Sequence, residues 1–170
     1  MMKLRSLAFA SLLLSPLVSS AQTSRPPAGE YAAHFAALGQ LSVAVAQAMP
    51  PEKFAFRPHP DSMTFAQLLS HIATTQYQFC AGLQDTNPPA LPSASSKDAV
   101  VQFLSDSFQY CSAAISKLTD AQLAASHDSP DGHLPGRDIL LVMYIHVAHH
   151  RGQAEIYLRD NNIAPPRYRI

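Results

Sequence analysis

The sequence predicts an all-α fold, a four-helix bundle, and three observations predict it. Apolar residues recur at helical spacing in four separate segments. Proline-rich stretches divide those segments, and a proline inside a helix removes a hydrogen bond and clashes with the preceding turn. No segment reads as an alternating apolar/polar strand flanked by hairpin turns, and no internal repeat is evident.

The first helix follows an Arg25-Pro26-Pro27 leader and carries Tyr31, Phe35, Leu38, Leu41 and Val45 before Met49-Pro50-Pro51 stops it. The next stretch, PPEKFAFRPHPDS, is a connecting loop, because Pro51, Pro58 and Pro60 forbid a continuous helix. Thr64-Phe65-Ala66-Gln67 has the form of a capping box and opens the second helix, whose buried stripe is Phe65, Leu68, Leu69, Ile72, Phe79 and Leu83. Asp85 to Ser96 is too rich in Pro and Ser to continue it. The third helix runs from about Lys97 to Leu118, with Val101, Leu104, Phe108, Cys111, Ile115 and Leu118 near one face. DSPDGHLPG, from Asp128 to Gly136, breaks the pattern again, and the fourth helix runs from about Arg137 to Asp160.

The N-terminus adds a processing signal. Lys3 and Arg5 precede an apolar run from Leu7 to Val18, followed by the small residues Ser19 and Ala21, which is the pattern of a secretory signal peptide. The run contains Pro16 and falls short of the roughly 20 apolar residues that a spanning helix needs. No cysteine near the cleavage point suggests a lipid anchor. The expected organisation is therefore a signal peptide over 1–21 and one domain over 22–170, in a secreted or periplasmic protein with no membrane contact after cleavage.

Composition narrows the partners. The formal net charge is zero and no Lys/Arg run occurs, so the chain has no electrostatic footprint for nucleic acid. The two cysteines, Cys80 and Cys111, are outside any C-x-x-C pair, which removes a thioredoxin-like or zinc-ribbon reading. Export makes a disulfide between them an option, and two free buried thiols are the alternative.

The chemistry concentrates in IHVAHHRGQ, from Ile145 to Gln153. At about 100° per residue, with His146 as zero, Ile139 lies near +20°, His150 near +40°, Gln153 near −20° and Tyr157 near +20°. His146, His150 and Gln153 therefore occupy the stripe expected to face the core, where polar groups are costly unless satisfied. His146 and His150 stand at i and i+4, so both imidazoles can reach one ion. His149, at about −60°, lies at the edge of the stripe and is the nearest candidate for a catalytic or substrate-facing role. A zinc-type centre usually has at least three protein ligands, and His71, beside the apolar stripe of the second helix, is the third candidate. Val147 stands where the catalytic Glu of H-E-x-x-H would be, which speaks against a zincin-type protease.

HVAHHRGQAEIYLR resembles the C-terminal helix signature of the DinB-like superfamily, a group of metalloenzymes unrelated to the DNA polymerase that shares the name. FRPHPDSMTFAQLLSHIATTQYQF is similar to that family's entry into its second helix, an R-P loop, a capped start and Leu-Leu-x-His. The likeness spans roughly residues 28 to 166. It implies a bundle of up-down-down-up order, with His71, His146 and His150 as metal ligands. In that order the second and third helices run parallel, which brings Cys80 and Cys111 to similar heights and favours a bridge between them. The connecting stretch can run back about 36 Å at full extension, enough for the parallel course.

A three-histidine centre leaves a coordination position for water or a thiolate. The resemblance implies a hydrolase or a thiol S-transferase, since characterised relatives use low-molecular-weight thiols. The cofactor expected is a divalent transition metal ion, zinc or nickel ahead of copper or iron. The substrate expected is a small molecule, with a homodimer left open. Around the ligands, Gln153 is expected to hydrogen-bond an imidazole, and Arg151, at about 140°, to anchor a neighbouring helix or bind substrate. Glu155, at about 180°, should point away. The alternatives are a non-catalytic metal carrier and a structural bundle whose histidines are merely buried.

Overall fold

The structure, a computed structural model, describes residues 27–168, so the signal-peptide expectation for 1–21 lies outside the described residues. Four long helices form the bundle: α1 (Pro27–Ala48), α2 (Phe65–Gly82), α3 (Lys97–Ile115) and α5 (Gly136–Asp160). A short helix α4 (Asp120–Ala124) and a hairpin of β1 (Ser126–Ser129) and β2 (Gly132–Pro135) precede α5. Among the described residues no helix is long and apolar enough to cross a membrane.

Local chemistry starts each helix where the sequence has a cap. Thr64 accepts from the Gln67 backbone N–H, and the Gln67 side chain accepts from the Thr64 N–H, so the capping box opens α2. Ser96 caps α3 through the Ala99 N–H. Lys97 then donates to the carbonyls of Gln47 and Met49, placing a cation on the last turn of α1.

Pairs of touching residues fix the helix directions. Gln76 meets Ser107 and Cys80 meets Cys111, numbers that rise together, so α2 and α3 are parallel. Phe35 packs on Phe108 while Lys97 reaches Met49, so α1 and α3 are antiparallel. Phe65 packs on Tyr157 while Cys80 meets Met143, numbers that run in opposite directions, so α2 and α5 are antiparallel. The result is the up-down-down-up bundle, and residues 83–96 carry the chain back along it between α2 and α3.

The core is apolar and continuous, built from Phe35 and Leu38 of α1, Leu68, Leu69, Ile72 and Phe79 of α2, Leu104 and Phe108 of α3, and Ile139, Met143, Val147 and Leu158 of α5. At its centre Cys80 and Cys111 are joined in a disulfide, with Cα atoms 5.4 Å apart and the Met143 sulfur 3.4 Å from the Cys80 sulfur. Three helices thus meet at one sulfur cluster, nine residues along α2 from His71.

The hairpin departs from the all-α expectation, in which 128–136 is only a break between helices. Ser126 pairs with Pro135 and Ser129 with Gly132 across a turn at Pro130-Asp131. Pro130 presets the turn's φ, and Gly132 takes a φ of 106°, open only to glycine without strain. Strands of four residues with polar, partly exposed side chains carry no alternating pattern, which is why the turn residues read only as a break. Gly82 lets this hairpin dock, because a Cβ there would lie 2.0 Å from the Asp128 carbonyl oxygen.

Candidate metal centre

The capping box sets where α2 begins, and His71 follows two turns later on the side that faces α5. In the antiparallel α5, His146 and His150 come to the same level. The Nε2 atoms of His71 and His146 are 3.0 Å apart. One nitrogen from each of His71, His146 and His150 lies within 4.8 Å of the other two. The ring centroids are 4.9 Å apart for His71 and His146, 4.7 Å for His71 and His150, and 4.5 Å for His146 and His150. Among the described residues no carboxylate or thiol joins this cluster.

The buried face of α5 is centred differently from the sequence expectation. Its buried members are Gly136, Ile139, Leu140, Met143, Val147, Ala154, Tyr157 and Leu158. On a wheel with His146 at zero they span roughly +20° to +120°. His146 therefore sits at the margin of the core, half-buried, and Gln153 is exposed rather than core-facing. Ile139 and Tyr157 drew the expected stripe toward His146, while Leu140, Val147 and Leu158 pull the real one away. The cluster consequently lies where the bundle interior meets solvent, within reach of a small molecule.

Gln153 nevertheless works on the cluster. Its Oε1 lies 2.7 Å from Nδ1 of His150. An amide oxygen only accepts, so Nδ1 carries the proton and the Nε2 lone pair is left toward the other two rings. The Gln153 amide nitrogen donates to Nε2 of His149, 3.1 Å away. His149 is exposed, and the lone pair it would need as a general base is engaged by that amide.

The donors fit a transition metal. Two imidazole nitrogens bound to one zinc at roughly 2.0–2.1 Å lie about 3.3 Å apart, close to the separation of the His71 and His146 Nε2 atoms. The Nε2 atoms of His71 and His146 face each other, and one imidazole lone pair meets another there unless a proton or an ion stands between them; the other nitrogen of His146, Nδ1, is buried without a hydrogen-bond partner, and an ion on Nε2 leaves it so. An ion accepting the lone pairs of the three imidazoles supplies an interaction that no side chain provides. Burial pushes His146 down to about 4, and the imidazoles of His150, His71 and His149 push the same way. Burial likewise lowers His150. Both rings are neutral at pH 7, the form in which imidazole binds metal.

A family model described as the DinB superfamily matches residues 26–154, which include all three histidines of the cluster. The chain belongs to the DinB superfamily. Solved structures agree on the fold. A DinB-like protein of Bacillus subtilis superposes with a TM-score of 0.72 at 19% identity, covering 82% of this chain and 96% of that one. A DinB-like protein of Bacillus cereus gives 0.72 at 17% identity, covering 83% and 97%. A conserved protein of Enterococcus faecalis gives 0.67 at 13% identity, covering 80% and 97%. Identities this low carry the fold alone. Curated proteins give no match.

In this DinB-superfamily chain the remaining candidates fall elsewhere. Arg151 pairs with Glu155 on another face of α5, and the Tyr168 ring lies 4.9 Å from its guanidinium carbon. That placement pins the C-terminal segment rather than the cluster. His34, His59 and His133 are exposed and are not members of the cluster.

One functional-looking histidine carries no role in the sequence reading. His127 of β1 is 3% exposed, with Nδ1 2.8 Å from the Asp85 carboxylate and Nε2 2.8 Å from the Gln122 carbonyl. Both neighbours accept, so both ring nitrogens donate and the ring is an imidazolium. Its pKa is raised chiefly by the Asp85 hydrogen bond, against the opposing effect of burial. It ties the hairpin to α4 and to the end of α2. Its partners lie in separate segments, so no local spacing announces it.

Proposed function

We propose that this chain is an exported metal-dependent enzyme of hydrolase or thiol S-transferase type. In it His71, His146 and His150 hold one divalent transition metal ion, zinc or nickel. The observation that carries the reading is the convergence of three imidazole nitrogens from two antiparallel helices within 4.8 Å. When bound, such an ion keeps a coordination position open and acidifies a water or thiol there. The chain's own part is to hold three imidazoles together, to orient His150 through Gln153, and to keep the face beside α2 open to a small molecule. Export is supported by the signal pattern at the N-terminus and by the Cys80–Cys111 bridge, since disulfides persist in oxidising compartments.

The absence of a carboxylate from the cluster among the described residues fits thiol chemistry, because a thiol bound to such an ion would need no protein base to lose its proton. Export fits hydrolysis, because reduced small thiols are mainly cytosolic reagents. The same absence, with His149 held by Gln153, favours a second reading, a metal carrier without turnover.

Elemental analysis of protein purified without chelator tests the centre. About one ion per chain is expected, in keeping with a single three-ligand site. It should be lost in His71→Ala, His146→Ala and His150→Ala and kept in His34→Ala, His59→Ala and His133→Ala. Retention in all three of the first set sinks the triad. Turnover of a nitrophenyl ester or conjugation of a small thiol, dependent on the metal, selects the enzyme. Exchangeable metal with neither activity selects the carrier.

A further inference from the structure

A groove of about 400 Å³ runs beside the centre, between the loop that precedes α2 and the last turns of α5. Its lining includes Met63, Leu68, Gln153, Ile156 and Tyr157. Leu68 precedes His71 by one turn on α2, and Gln153 follows His150 by one turn on α5. Because the helices are antiparallel, both displacements lead the same way along the bundle, by roughly 5 Å. Gln153 belongs to both places, holding His150 with its amide oxygen and lining the groove.

The groove is apolar where it is deepest and is held in shape by the backbone. Leu68 and Tyr157 are buried at its base, while Met63 and Ile156, 37% and 52% exposed, form its sides. These two are among the few large apolar side chains that the described residues leave in water. The Tyr157 hydroxyl donates to the Met63 carbonyl at 2.9 Å, Arg57 donates to the Pro60 carbonyl at 3.2 Å, and the Phe65 N–H donates to the Phe56 carbonyl at 2.9 Å. The loop wall is thus tied to α5 and to the start of α2. Among the lining residues the one charge is Asp61, whose side chain is almost fully exposed at the rim, and no cation lines the surface. Arg57, whose charge reaches Tyr157, stands behind the loop wall and donates to the Pro60 carbonyl, so the lining itself offers an uncharged apolar tail a preformed bed.

The geometry points to a substrate subsite in this groove. It fits a small molecule with a metal-binding head, seated at the three histidines, and an uncharged apolar tail laid over Leu68 between Met63 and Ile156. This rests on the metal-centre reading and adds the class of substrate to it. Met63 and Ile156 are then the residues that set tail preference, and Gln153 is the positioning residue between head and tail.

Straight-chain hydroxamic acids, from acetohydroxamate to octanohydroxamate, provide the probe, because the head chelates and only the tail varies. Titrated calorimetrically into the zinc-loaded protein, affinity should rise about two- to fourfold per added methylene while the groove fills. In Met63→Asp and Ile156→Asp, surface changes that leave the core intact, zinc content and acetohydroxamate affinity should hold while the chain-length gain disappears. Equal affinity for every length, or a gain that survives both variants, overturns the subsite while leaving the centre standing. Failure of the protein to take up either zinc or nickel, or of acetohydroxamate to bind the loaded form, overturns the metal-centre reading, and the subsite falls with it.

Discussion

His146 and His127 are the same residue type, both removed from bulk water, and their surroundings drive them to opposite charge states. Around His146 stand three other imidazoles and no acid, so burial and mutual repulsion hold it neutral, with its pKa pushed down to about 4. Around His127 stand a carboxylate and a backbone carbonyl, so the proton is retained although the side chain is only 3% exposed. Burial alone predicts a lowered pKa for both. What differs is whether the neighbours accept or donate. The first set offers lone pairs to an ion, and the second uses its protons to clamp a hairpin.

Removing one member of the first set should give the largest effect. Structural zinc sites with four ligands bind with roughly 10–16 kcal/mol, about 2.5–4 kcal/mol per ligand. His146→Ala should therefore weaken metal binding by roughly a hundred- to a thousandfold. Competition against a chromogenic chelator measures this. His127→Ala should leave the same affinity unchanged, and a comparable loss there would erase the distinction between the two sites.

Gln153 comes next. Residues that orient a ligating histidine typically contribute 10–100-fold in metal affinity, so Gln153→Leu should cost roughly that, with helix content by circular dichroism unchanged. Gln153→Glu, which restores an acceptor for Nδ1 of His150, should recover most of the loss. Affinity untouched by Gln153→Leu would remove the residue from the centre.

On the other side of the comparison, His127→Ala removes two hydrogen bonds made by a charged ring. Urea unfolding should show a loss of about 2 kcal/mol, discounted because Asp85 is 70% exposed. Amide exchange should quicken in β1 and β2 ahead of α2 and α5. A uniform loss of protection would instead assign His127 to the core.

The two sites were unequally legible in the sequence. His146 and His150 announce themselves by i,i+4 spacing on one helix, and His71 by its place after a capping box and two leucines. The bond from Gln153 to His150 was also legible, because it spans three residues of the same helix. The exposure of Gln153 was not, since the core-facing direction of α5 depends on α2 and on α1, whose Tyr31 hydroxyl reaches the Leu140 carbonyl at 2.6 Å. His127 was silent because Asp85 is 42 residues away and Gln122 offers only its backbone. The hairpin that carries it has polar strands, so its turn residues look like any helix-breaking loop.

The smallest expected effect separates the sites by pH in the metal-free protein. For His146 the folded pKa, about 4, lies below the unfolded value of roughly 6.5, so stability falls as pH drops from about 6.5 toward 4. For His127 the folded pKa is raised, so its contribution is complete below about 6.5 and is lost as pH climbs through the folded value. These two residues thus give a stability maximum near pH 6.5, with an acid limb set by one and an alkaline limb set by the other. Asp85→Asn removes the first cause of the rise at His127 while tolerating the left-handed backbone at that position, where φ is 53°. Urea midpoints at pH 5, 6.5 and 8 should show the alkaline limb flattened in this variant and the acid limb unchanged. An alkaline limb of undiminished slope would mean that the Gln122 carbonyl, and not the Asp85 carboxylate, keeps the proton on His127.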